Sequence, residues 1–117
     1  MNIYIVCPVR HVSFEQTRII EMYVEKLEDQ GHEVHYPPRN VDQSDPIGFN
    51  IVSAHKTAME LCDEVHIFWD STSSGSHFDL GMAIALGKKL KLVKAFTPDT
   101  LGKSFLKVIK EVIAHQK

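Results

Sequence analysis

Cysteine is scarce in this chain. Only Cys7 and Cys62 occur, each inside an apolar run. Neither the spacing of a thiolate metal knot nor a disulfide framework can be built from them, so two buried free thiols in a reducing compartment are expected. Missing too is any stretch near the ~20 consecutive apolar residues that a membrane span requires, and no membrane partner is expected. Charge of one sign does not accumulate: 13 Lys and Arg against 15 Asp and Glu leave a formal charge of −2. Without a basic stripe for a phosphate backbone, nucleic acid is excluded as a partner. Met1 leads straight into an apolar stretch with no basic region or cleavage site, which gives a cytoplasmic expectation. Linkers, repeats and low-complexity tracts are lacking, so the 117 residues read as one domain, 1–117.

What is present alternates regularly. Asn2–Cys7 is a β-branched and aromatic run stopped by Pro8, the mark of a buried strand. Ser13 with Gln16 three residues on has the form of a capping box. The helix it opens places Phe14, Ile20, Tyr23, Val24 and Leu27 at helical spacing and stops at Gly31. Glu33–Tyr36 predicts a second strand closed by Pro37-Pro38, followed by a polar loop, Arg39–Asp45. Asp45-Pro46 then reads as a cap and first-turn pair for a helix to Cys62, with Phe49, Val52, His55, Met59 and Cys62 on one face. Glu64–Trp69 is a third strand and Asp70–Gly75 a loop. His77–Leu86 is a largely apolar helix, stopped by Gly87. Lys89–Val93 is a fourth strand, and Asp99–His115 a last helix with Leu101, Phe105, Val108, Ile109 and Val112 inward.

Alternating strands and helices imply an α/β fold with a parallel sheet between helical layers. Right-handed crossovers restrict the winding, and the simplest order is 2-1-3-4, a flavodoxin-like or Rossmann-like three-layer sandwich. Its order reverses between the first and third strands, where ligands bind beyond the strands' carboxyl ends. Two segments meet there: Cys7-Pro8-Val9-Arg10-His11, and the stretch from Trp69 to Asp79. The loop through Ser73, Ser74, Gly75 and Ser76 delivers hydroxyls to a helix N-terminus, which attracts a phosphate, a carboxylate or a sugar hydroxyl; an ordinary polar cap has the same composition. Asp79, placed in the first turn, is either a further cap or a carboxylate aimed into the crevice as nucleophile or sugar clamp. Arg10 can pair with phosphate in bidentate fashion or simply be solvated. Trp69 and Phe78 can stack on a base or pack in the core.

Gly75-Ser76-His77-Phe78-Asp79-Leu80-Gly81-Met82-Ala83-Ile84-Ala85-Leu86-Gly87-Lys88 resembles the Gly-x-x-x-Glu-Leu-Gly-x-Ala-x-Ala-x-Gly-Lys stretch of the nucleoside 2-deoxyribosyltransferase family and its nucleotide N-hydrolase relatives. Ile3-Tyr4-Ile5-Val6-Cys7-Pro8-Val9-Arg10 is similar to that family's first strand and its phosphate- or sugar-contacting turn. Asp63-Glu64-Val65-His66-Ile67-Phe68 resembles its Ala-Asp-hydrophobic strand, and the similarity runs from Asn2 to about Phe96. The resemblance implies cleavage of an N-glycosidic bond, with a carboxylate attacking the anomeric carbon and a second base or water resolving the glycosyl-enzyme. It places Asp79 as nucleophile, one methylene shorter than the family's glutamate. It implies an aromatic base contact at Tyr4 and a phosphate- or sugar-contacting turn at Pro8 and Arg10; the residues read at the crevice, Trp69, Ser73, Ser74, Gly75 and Ser76, complete the expected substrate-binding set. Where the family carries an aspartate eight residues before the Asp63 position, this chain has His55, an imidazole able to supply a proton to a leaving base or to pack in the core. The partner is then a small nucleoside or nucleotide. No cofactor is implied, and a homo-oligomer is, with the Phe78–Leu86 helix as a candidate interface.

Other constellations are weaker. His11, His55 and His77 come from separate segments with no ligand spacing, so no metal is expected. No Gly-x-Ser-x-Gly elbow supports a serine triad. Pro8 removes an N–H that a flavin phosphate loop would need. Two alternatives stay open: a non-catalytic nucleotide-binding protein that senses or sequesters its ligand, and a domain of the NAD-cleaving Toll/interleukin-receptor-like type.

Overall fold

The computed structural model describes residues 1–116, leaving Lys117 of the expected domain outside the described residues. Four parallel strands, β1 (Asn2–Val6), β2 (Glu33–His35), β3 (Glu64–Trp69) and β4 (Lys89–Ala95), pair in the order β2-β1-β3-β4. This is the expected winding. Strand alternation divides the core. Ile3, Ile5, Val34 and Phe68 face α1 (Phe14–Asp29) through Ile20, Val24 and Leu27. Tyr4, Val6, Val65, Ile67, Trp69 and Leu90 face the other way and meet the remaining long helices. Each fully buried aliphatic side chain of this kind contributes ~1.5–3 kcal/mol.

Several helix starts differ from expectation. The capping box of α1 forms as read: Gln16 donates its backbone N–H to Ser13 Oγ, and Ser13 N–H returns to Gln16 Oε1. Phe14, however, overhangs the helix start and is exposed. Pro37 does not merely close β2; Pro37–Asn40 forms a helical turn, α2, because proline's fixed φ suits a first helical position. The next helix, α3 (Phe49–Leu61), begins three residues later than Pro46, after Gly48 at φ 87°. Asp45 still serves it from a distance, accepting from Asn50 N–H at 2.7 Å. On α3, Met59 and Cys62 at its end are buried, whereas Phe49 and Val52 point outward.

The helix α4 (Ser74–Ala85) starts earlier than expected, with Ser73 rather than Ser76 outside it. Ser74, Gly75 and Ser76 are therefore its first turn, not loop. The last helix, α5 (Phe105–His115), is capped by Ser104, while Asp99 instead accepts the Ser104 hydroxyl. Its inner face is Leu106 and Ile109, flanked by Val112 and Ile113; Leu101, Phe105 and Val108 are exposed.

Candidate active site

The early start of α4 changes the meaning of Asp79. It is the sixth residue of the helix, a full turn beyond the N–H groups that a cap would serve. The residue is 5% exposed, and its carboxylate is turned toward the sheet. Oδ2 accepts the Tyr4 hydroxyl of β1 at 3.0 Å, and Oδ1 lies 3.3 Å from Nδ1 of His55 on α3. A carboxylate only accepts, so His55 donates from Nδ1. Burial, with the Asp79 carboxylate adding, pushes the Tyr4 hydroxyl far above its ordinary pKa, so it remains a donor. Three of the expected site residues, Tyr4, His55 and Asp79, are thus brought together by β1, α3 and α4.

A fourth member was not anticipated. His35, at the end of β2, stacks on Tyr4 with ring centroids 5.0 Å apart and meets His55 edge to face at 6.1 Å. Burial holds its proton affinity below the ordinary imidazole range, and neighbouring His55 acts in the same direction. The Nε2 atoms of both His35 and His55 are buried without a hydrogen-bond partner among the described residues. The signal for His35 was present in the winding itself, since β2 pairs with β1 and puts His35 directly opposite Tyr4.

The remaining residues are placed elsewhere or face solvent. Ser73 Oγ and Ser76 Oγ bond each other at 2.9 Å, closing the start of α4. Ser74 and Gly75 are exposed at that N-terminus. Pro8 is buried just past β1, and Arg10 is exposed, with no hydrogen bond or ion pair among the described residues. Trp69 is 1% exposed and lies in the core against His77 and Phe105. Phe78 is 52% exposed and packs in no core cluster. His77 donates Nδ1–H to the Ser73 carbonyl, and His11 is an exposed residue at φ 56°. Among the described residues, no three His, Cys, Asp or Glu side chains are arranged to hold a metal ion. Cys7 and Cys62 are free and buried, with the Cys7 thiol pushed up to about 12 by burial. Among the described residues, no helix is long and apolar enough to cross a membrane.

Two clefts flank the cluster. One, of about 200 Å³, runs along the β2 edge between His35, Asn40, Ala58 and Cys62. The other, of about 180 Å³, lies beyond β3 and β4 and is walled by Trp69, His77 and Phe105. Asp79 lines neither; the first reaches His35, which packs on both Tyr4 and His55.

No family model matches the sequence, and no curated protein matches it. Solved structures do share the fold. A CMP N-glycosidase, BcmB, from Clostridium botulinum superposes with a TM-score of 0.65 at 21% identity, over 96% of this chain and 82% of that one. A 2-deoxyribosyltransferase from Bacillus psychrosaccharolyticus superposes with a TM-score of 0.69 at 18% identity, over 92% of this chain and 90% of that one. Both likenesses are of architecture, a parallel 2-1-3-4 sheet between helical layers.

Proposed function

We propose that this chain cleaves or transfers the N-glycosidic bond of a nucleoside or nucleotide, with Asp79 as nucleophile. The observation that carries the reading is the carboxylate's setting: buried, clear of any capping duty, and held at both oxygens by Tyr4 and His55. Each carboxylate oxygen has a second lone pair, so one can attack the anomeric carbon without surrendering its hydrogen bond. The C–N bond then breaks, its electron pair passes to the base nitrogen, and that nitrogen takes a proton. His55 is the proton source and Tyr4 the positioning residue. Water or a second base releases the sugar from Asp79. The architecture shared with a CMP N-glycosidase and a 2-deoxyribosyltransferase supports the same chemistry. Arg10, with Ser74, Gly75 and the α4 N-terminus, supplies the phosphate or sugar clamp, since exposed N–H groups and a guanidinium both favour an anion. The chain works in the cytoplasm as a homo-oligomer, its interface on the outer side of α4. Incubation with deoxynucleosides, ribonucleosides and their monophosphates, followed by chromatography, tests the reading through release of free base.

A second reading rests on the burial of Asp79 and its absence from both clefts. Here the protein binds a nucleotide without cleaving it. Saturable binding with the ligand recovered intact favours this second reading.

A further inference from the structure

His77 and Asp79 are two residues apart on α4, which turns them about 200° from one another around the helix axis. Asp79 meets Tyr4 and His55, whereas His77 meets Trp69 of β3 and Phe105 of α5. Those three rings wall the cleft of about 180 Å³ beyond β3 and β4. The His77 ring lies 4.8 Å from Trp69 and 5.1 Å from Phe105, at interplanar angles of 58° and 88°. The rings therefore enclose a corner instead of stacking on one another. Trp69, 1% exposed, is the floor, and Phe105, 56% exposed, is the open wall. Most of the polar lining is already committed. Asp99 accepts the Thr100 N–H and the Ser104 hydroxyl and pairs with Lys107 at 3.2 Å. Thr97 Oγ1 accepts the Ser71 N–H, and His77 Nδ1–H goes to the Ser73 carbonyl. Lys103 is different: it lines the cleft, is exposed, and has no hydrogen bond or ion pair among the described residues. The reaction proposed above uses neither these rings nor this cation.

We propose that this cleft is a second small-molecule site, which takes a planar aromatic ring bearing an anionic group, the ring against Phe105 and His77 and the anion on Lys103. Each part follows from the lining. Two inclined aromatic walls over an aromatic floor suit a flat ring, stacked on one wall and in edge contact with the other. At about 180 Å³ the cleft is smaller than the ~300–1,000 Å³ of pockets that enclose a whole ligand. One ring system fills it, and a charged tail extends into solvent, where Lys103 favours a phosphate or carboxylate over a neutral group. The Asp99 carboxylate does not oppose such a tail as a bare charge, because Lys107 and two hydrogen-bond donors already offset it. A nucleoside monophosphate and a simple aromatic acid share this chemistry. The site does not involve Asp79 and stands whether or not the chain cleaves a glycosidic bond.

Trp69 is the only tryptophan in the chain, so its fluorescence reads the floor of the cleft directly. The full chain carrying Asp79→Asn, which removes turnover, is titrated with CMP, AMP, their uncharged nucleosides and benzoate. A saturable change is expected with the anionic probes, at lower Kd than with the nucleosides. A response to the monophosphates alone identifies a nucleotide as the source, and a response to benzoate alone a simple aromatic acid. Stacking on one aromatic side chain is worth about fivefold or more in affinity, so Phe105→Ala added to this background is expected to raise Kd by at least that factor. Phe105→Leu, which keeps apolar bulk without a ring, is expected to do the same and serves should the alanine variant fail to fold. Lys103→Ala is expected to raise Kd about threefold and to remove the weakening by salt that an exposed ion pair shows. No saturable change with any probe overturns the site. A change that the Phe105 and Lys103 substitutions all leave unmoved overturns it too, because it places the ligand in the Asp79 crevice.

Discussion

The Tyr4 hydroxyl and the Asp79 carboxylate lie 75 positions apart in sequence and 3.0 Å apart in space. The bond joins the middle of the central strand β1 to the second turn of α4, and it fixes the direction of a side chain too short to find its place by length. Removing the hydroxyl leaves a buried carboxylate oxygen without its donor. Tyr4→Phe is expected to lower stability by ~1–3 kcal/mol in denaturant unfolding. A misplacement of about 1 Å can cost about 10²-fold in rate, and a loss of that order in kcat is expected. A variant as stable and as active as the wild type would show that the bond orients nothing.

Asp79 itself separates catalysis from binding. Asp79→Asn retains the shape and loses the nucleophile, so base release should vanish while nucleotide binding by calorimetry persists. The longer Asp79→Glu adds a methylene to a buried site already held by Tyr4 and His55. Overpacking of this kind costs ~1–3 kcal/mol, and the melting temperature is expected to fall. An Asp79→Glu protein of unchanged stability would mean that the space in front of the carboxylate is larger than its burial implies.

A second buried imidazole governs the pH dependence of stability. His66 on β3 donates Nε2–H to Glu64 at 3.0 Å, which leaves Nδ1 to accept the Tyr23 hydroxyl at 2.6 Å. Burial lowers its proton affinity, opposed by Glu64, and His35 is lowered as well. The unfolded chain therefore binds protons more readily at these two positions, starting near the ordinary value of ~6.5. Their contribution is complete above that pH and is lost as the pH falls through the lower, folded-state values. Calorimetry should show the melting temperature dropping on acidification below about pH 6.5, with a shallower slope in His66→Gln. A flat profile between about pH 7 and 5 would contradict the assignment.

The outer side of α4 carries the assembly proposal. Phe78 and Ile84 on that helix, with Leu86 at its C-cap, are each more than a third exposed. Light scattering should report an oligomer that Phe78→Glu shifts toward monomer. A wild type that scatters as a strict monomer rules the interface out.

Most of the architecture was legible because it depends on pattern alone. Glu64–Trp69 came out with its bounds as read, and the 2-1-3-4 winding followed from alternating elements and crossover handedness. Helix starts were less legible because several residues compete to cap. Ser73, Ser74 and Ser76 all have the chemistry, and only the observed bond from Ser76 N–H to Ser73 Oγ decides among them. That three-residue shift turned Asp79 from a first-turn residue into a buried one. His35 stayed hidden for a different reason. Its place in the cluster depends on pairing β2 beside β1, a tertiary fact, and not on any spacing along the chain. Outward Phe49, Phe78 and Phe105 show the limit of hydrophobic periodicity, which finds a helix more surely than it finds which apolar residue faces in.

The most direct measurement is the mass of the protein after incubation with 2′-fluoro-substituted nucleosides and their monophosphates, which slow release of a sugar ester. Nucleophilic attack by Asp79 predicts an added glycosyl mass that maps to the Asp79 peptide and is absent in Asp79→Asn. Release of free base with no adduct, and with Asp79→Asn as active as the wild type, would contradict the account at its centre.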